Sequence, residues 1–123
     1  MLERFVTNWP RNSGEYKIVQ MEIDGHPFII FGPDTGFHTL MIKGIGERLN
    51  REMPSVKDQS GGDIPALKDD WYKVWGAGKA LANKEKKELI FYGSSKSYGI
   101  GISREHLERI RAMKPVWRIL LKD

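Results

Sequence analysis

The chain has 123 residues and a mass of 14.2 kDa, enough for one buried core and too little for two of similar size, so a single domain over residues 1–123 is expected. Its residues are 40% hydrophobic and 29% charged, which argues against disorder, and 20 basic against 16 acidic side chains give a net charge of +4 that suits an anionic ligand without forming a nucleic-acid-binding stripe. Cysteine is absent, which excludes disulfides, thiolate metal sites and cysteine nucleophiles and fits a reducing compartment.

Met1 to Pro10 mixes Glu3, Arg4 and Asn8 with apolar residues and holds no signal-like apolar core. No apolar run approaches membrane-spanning length, so the expectation is a cytoplasmic protein that does not engage a membrane. Tyr16 to Ile23 then reads as a strand, Asp24-Gly25 as a hairpin turn, and Pro27 to Phe31 as a returning strand. Both alternating rows of these strands are partly apolar, as in a sheet covered on both faces.

Gly32 to Gly36 is a turn suited to capping a helix that opens near His38. Met41, Ile45 and Leu49 recur every four residues and are expected to face the sheet, with Pro54 as the stop. Ser55 to Asp70 reads as a surface loop around Ser60-Gly61-Gly62-Asp63. Tyr72 to Leu81 and Glu88 to Gly93 read as two further strands, in which Gly76 and Gly78 signal a bulge or a close backbone approach. Ser103 is placed to cap a second helix carrying Leu107, Ile110 and Met113 on one side, Pro115 stops it, and Val116 to Leu121 forms the last strand. The expected fold is α/β (α+β), a single mixed β-sheet with one helix packed on each face, in the order ββαββαβ.

Of the three histidines, His38 falls at a predicted helix start, where unpaired N–H groups and the positive end of the dipole attract an anion. A neutral imidazole there can take a proton from water. His26 and His106 read as solvated surface residues. The histidines lack ligand spacing and no paired carboxylates accompany them, so neither a metal nor another cofactor is expected. Gly93-Ser94-Ser95-Lys96-Ser97-Tyr98-Gly99 can form a nest of backbone N–H groups for an anion, although the order of a Walker loop is absent. Lys17 and Lys79 are candidate phosphate partners. Trp71, Trp75 and Trp117 read as core or rim packing.

Taken together, these residues resemble the phosphohistidine phosphatase family, also called the Janus or ocnus family. The resemblance rests on Tyr16-Lys17 early in the first strand, Phe37-His38 opening a helix, Gly76-Ala77-Gly78-Lys79-Ala80, and Tyr92-Gly93-Ser94-Ser95-Lys96-Ser97-Tyr98-Gly99 against a family pattern of Tyr-Gly-Tyr-Ser-Met-Ala-Tyr-Gly. It spans most of residues 16 to 117, apart from Glu52 to Trp71. Lys96 and Ser97 replace the family's Met and Ala, Ser94 replaces a tyrosine, and Lys79 replaces an arginine capable of bidentate phosphate binding. The resemblance implies a metal-free hydrolase, expected as a monomer, that removes phosphate from phosphohistidine, phospholysine or phosphoarginine on proteins or peptides. His38 would be the general base or a transient phosphate carrier. Phe37, Thr39, Ser95, Lys96 and Ser97 would surround the phosphate, with Lys17 and Lys79 nearby. The alternatives are a non-catalytic module that binds phosphorylated partners through the same pocket and, resting only on charge and tryptophans, a nucleic-acid binder.

Overall fold

Alternating apolar side chains draw the chain first into a long hairpin. In the computed structural model, which describes residues 9–122, β1 (Gly14–Ile23) returns as β2 (His26–Pro33). Asp24 and Gly25 join them with positive φ angles of 49° and 84°, the backbone that a two-residue hairpin turn requires. Helix α1 (His38–Leu49) follows. The turn before it supplies no cap: Phe37 occupies the N-cap position and no side chain bonds the first-turn N–H groups. Nor does Pro54 end the helix, because Asn50 enters the left-handed region (φ 53°) and returns its N–H to Gly46 and Glu47 carbonyls, a role its short polar side chain suits.

The stretch expected as loop folds into three short strands, β3 (Ser55–Lys57), β4 (Asp63–Pro65) and β5 (Lys68–Asp69). The long β6 (Tyr72–Asn83) and β7 (Glu88–Tyr92) come next, then β8 (Ser94–Ser95) paired with β9 (Ile100–Gly101), helix α2 (Arg104–Ala112) and β10 (Arg118–Leu121). The main sheet runs β10-β7-β6-β1-β2, with β5 against the start of β6. Its ladders are antiparallel except for β10 on β7, which is parallel. The fold is thus a mixed α/β arrangement of one mixed sheet and two helices. The order departs from ββαββαβ by five strands of two or three residues, too short to carry a period in sequence.

Successive residues of β1 point to opposite faces and enter separate apolar clusters. Val19, Met21 and Ile23 pack with Phe28, Val74 and Ala77 and with Ile42 and Ile45 of α1. Ile18 packs with Ile29, Leu89 and Phe91, with Leu107 and Ile110 of α2, and with Trp117. The inward row of α1 is His38, Ile42, Ile45 and Gly46, with Met41 and Leu49 only partly buried beside it. Ser103 caps α2 by accepting the His106 N–H at 3.2 Å. Met113, expected on the inward side of α2, is instead its C-cap and is half exposed, because the chain turns away at Lys114 before Pro115. Among the described residues no helix is long and apolar enough to cross a membrane.

Candidate active site

Two glycines in β6 bring distant segments together. A methyl group at Gly78 would lie 2.6 Å from the Tyr92 carbonyl oxygen and 2.7 Å from the Ile102 side chain, and one at Gly76 would lie 2.6 Å from the Gly101 oxygen. Only the absence of a side chain lets the β7–β9 segment approach this closely. The ladder also shifts register between Gln20 and Met21, opposite Gly76 and Val74. Both sequence expectations for this strand, a bulge and a close approach, are met at adjacent positions.

His38 is the first residue of α1 and retains 8% of its surface exposed. Its Nε2 lies 2.9 Å from the Gly78 carbonyl oxygen. A carbonyl can only accept, so Nε2 carries the proton and Nδ1 keeps its lone pair. No partner for Nδ1 exists among the described residues. Burial holds the imidazole below its ordinary value of 6.5, and the positive charges of Lys17 and Lys79 push the same way, against the opposing effect of the Gly78 bond. The ring is neutral at pH 7, with a free basic nitrogen.

Lys17 and Lys79 are direct cross-strand partners on β1 and β6, so two ammonium groups share one end of the sheet. Lys17 Nζ lies 6.0 Å from the centre of the Phe37 ring, which is 65% exposed. Lys79 Nζ pairs with Asp34 at 3.1 Å. In sequence Asp34 reads as a turn residue, and nothing there signals this partner. Lys17 has no carboxylate partner among the described residues. Thr39 stands half-buried in the uncapped first turn of α1.

On the other side of Gly78, the chain leaves Tyr92 and Gly93 to form the β8–β9 hairpin. Ser95 is 2% exposed, and its hydroxyl has no hydrogen-bond partner in the protein. Lys96 and Ser97 are exposed in the turn, which is closed by Gly99 N–H on the Ser95 carbonyl at 2.8 Å. Tyr98 anchors the hairpin by donating to the Pro65 carbonyl at 2.7 Å. The structure therefore links His38 to Gly78 and packs Gly78 against the segment that leads into Ser95. A buried, unpaired hydroxyl costs free energy unless something binds it.

His106 departs from its expected place on the surface: it is fully buried. Its Nε2–H donates to the Met21 carbonyl at 2.9 Å, and its Nδ1 accepts from Gln20 Nε2 at 3.2 Å. Gln20 in turn donates to the Ser103 carbonyl at 2.9 Å and accepts the Ser103 N–H at 2.7 Å. Every polar atom of the pair is satisfied, which makes it an internal brace between β1 and α2 and not a reactive group. Trp75, expected as packing, also binds Glu22 through its indole N–H and lies under the Lys73 ammonium at 3.7 Å. Among the described residues no three His, Asp or Glu side chains gather as metal ligands would. The chain matches no protein-family model and no curated protein.

Proposed function

We propose that this protein is a phosphatase of the phosphohistidine type, acting without a metal on phosphohistidine, or a related phosphoramidate such as phospholysine, in proteins or peptides. The observation that carries the reading is the hydrogen bond from His38 Nε2–H to the Gly78 carbonyl. It commits the ring to one tautomer and leaves Nδ1 as the basic atom at the open end of a helix. Burial and two nearby lysines keep that atom unprotonated at neutral pH.

In the proposed reaction Nδ1 takes a proton from water as the water oxygen bonds to phosphorus. The P–N bond breaks, its electron pair returns to the substrate nitrogen, that nitrogen takes a proton from solvent, and Nδ1 releases its proton to solvent to restore the neutral ring. Imidazole is a good leaving group once protonated, so positioning and charge stabilisation can supply the remaining barrier reduction. The phosphoryl oxygens would meet the unpaired N–H groups beside Phe37, His38 and Thr39, the Ser95 hydroxyl, and the backbone of Ser95, Lys96 and Ser97. Lys17 would contribute an unpaired positive charge, while Lys79 is shared with Asp34. In this reading one helix covers each face of the sheet, and the protein works as a cytoplasmic monomer.

The test is phosphate release from a phosphohistidine peptide in the presence of a chelator. Wild type is expected to turn over, and His38→Ala to lose about 100-fold or more, the range general-base removal gives. Turnover unchanged in His38→Ala overturns the assignment of the base. Peptide binding with no turnover in either protein assigns the pocket to a non-catalytic phosphate-recognition module.

A further inference from the structure

The end of α2 builds a cavity that shares no residue with the His38 site. Lys114 takes φ 53° and turns the chain off the helix, so that Pro115, Val116 and Trp117 double back toward β10. The Arg118 N–H bonds the Lys87 carbonyl at 2.7 Å, which fixes this return beside the β6–β7 turn. Lys87 itself has φ 51°. Trp9 is held near by its ring contact with Phe31, 5.7 Å between centroids. Three separate stretches of chain thus enclose about 530 Å³, within the size range of small-molecule pockets.

The lining is largely apolar, with Trp9, Ile110, Val116 and Trp117 among its walls, and among the described residues its charged members are Lys87 and Lys114. Val116 is 82% exposed, an unusual position for a branched aliphatic side chain without a partner. The Lys87 ammonium lies 5.1 Å from the centre of the Trp117 ring. Neither lysine has a carboxylate partner among the described residues. Elsewhere Arg109 pairs with Glu22, Arg111 with Glu108 and Arg118 with Glu88. Two cations with no carboxylate partner among the described residues, on the lining of an apolar, tryptophan-walled cavity, complement a molecule with one negative group on a flat apolar body.

From this juxtaposition we infer that the cavity between the end of α2 and the β6–β7 turn is a binding site for an aromatic carboxylate. The ring system lies against Trp9, Trp117 and Val116, and the carboxylate faces Lys87 and Lys114. The site is independent of the phosphatase reading, and each can fail without the other.

The test uses the full-length protein, 2-naphthoate as probe and 2-naphthamide as its neutral counterpart, followed by ¹⁵N NMR of the four indole N–H signals. Naphthoate is expected to shift the Trp9 and Trp117 signals and to leave those of Trp71 and Trp75, which are bonded to Glu52 and Glu22. The amide is expected to bind about tenfold more weakly, as loss of a charge-assisted contact implies. The doubly substituted Lys87→Gln/Lys114→Gln protein should lose the same factor for naphthoate and leave amide binding unchanged, while His38→Ala should bind both as wild type does. Both substitutions lie on exposed side chains, and Val116→Asp provides a second surface variant that should abolish binding. Equal affinity for acid and amide, shifts spread over all four indoles, or no shift at all would overturn the inference. So would a mass that doubles with concentration and reverts in Val116→Asp, which would give the cavity to a second copy of the chain.

Discussion

Acid should weaken this protein through His106, starting as the pH falls below 6.5. The neutral ring is required twice: Nε2–H feeds the Met21 carbonyl, and Nδ1 must stay bare to accept from Gln20. A proton on Nδ1 would face the Gln20 amide N–H, and turning that amide over would sacrifice both of its bonds to Ser103. Burial adds the larger effect, and the group is pushed down to about 4 from an ordinary value of 6.5. The unfolded chain therefore binds the proton first, so stability is fully present above pH 6.5 and falls as the pH drops toward 4. At roughly 1.4 kcal/mol per pH unit the loss reaches about 3 kcal/mol, a large share of the 5–15 kcal/mol typical of a domain. Urea unfolding followed by circular dichroism between pH 7.5 and 4 measures it, with His106→Asn as the reference that keeps an acceptor for Gln20 but cannot titrate. His106→Asn should be less stable at pH 7.5, by about 2 kcal/mol for the lost Met21 bond and packing, and the gap to wild type should close at about pH 5 and reverse by about pH 4. His38 titrates with the same sign in both proteins and cancels in the comparison. A gap that stays constant from pH 7.5 to 4, or a His106 ring that titrates near 6.5 by NMR, would refute the argument.

Gly76→Ala should cost about 3 kcal/mol or more, because the added methyl meets backbone atoms of Gly101 and Ser103 that cannot yield; an unchanged denaturation midpoint would contradict the close approach. Ser103→Ala removes the side-chain cap of α2, and the expected loss of about 1 kcal/mol corresponds to a fall of about 4 °C in melting temperature. If the phosphatase reading holds, the acid limb of the rate profile reports His38, and Lys17→Met should move that limb upward. The ammonium disfavours the imidazolium, so its removal lets the ring bind a proton at higher pH. A limb that does not move would separate the titrating group from His38.

The elements with a full period were readable in the sequence, and so was the class of fold. Ile18 and Val19 announce a strand covered on both faces, and Asp24-Gly25 announces its turn, because these signals are local. Ser55 to Asp70 was not readable as strands, since two or three residues of ladder are decided by what they pair with and not by their own composition. His106 looked solvated because the residues beside it, Arg104, Glu105, Glu108 and Arg109, are charged. Its burial is set by Gln20, 86 positions earlier, and no local pattern encodes that bond. At the candidate site His38 was legible from its helix start and Gly78 from its spacing with Gly76. That the two meet through a ring nitrogen and a carbonyl was not, nor was the hold of Asp34 on Lys79.

The anchor of the His38 ring, Gly78, sits on β6 in register with Ile18 of β1, immediately before the ladder with β7 begins at Lys79. Amides in the long inner strands of a sheet open least often, close to the global unfolding of the molecule. Helix α1 begins with no side chain closing its first turn, and uncapped ends fray on far shorter timescales. The imidazole thus joins an inner strand to an uncapped helix end, so release of the ring from Gly78 is expected to begin on the helix side. Deuterium uptake at residues 39 to 41 should run well ahead of that at 77 to 80.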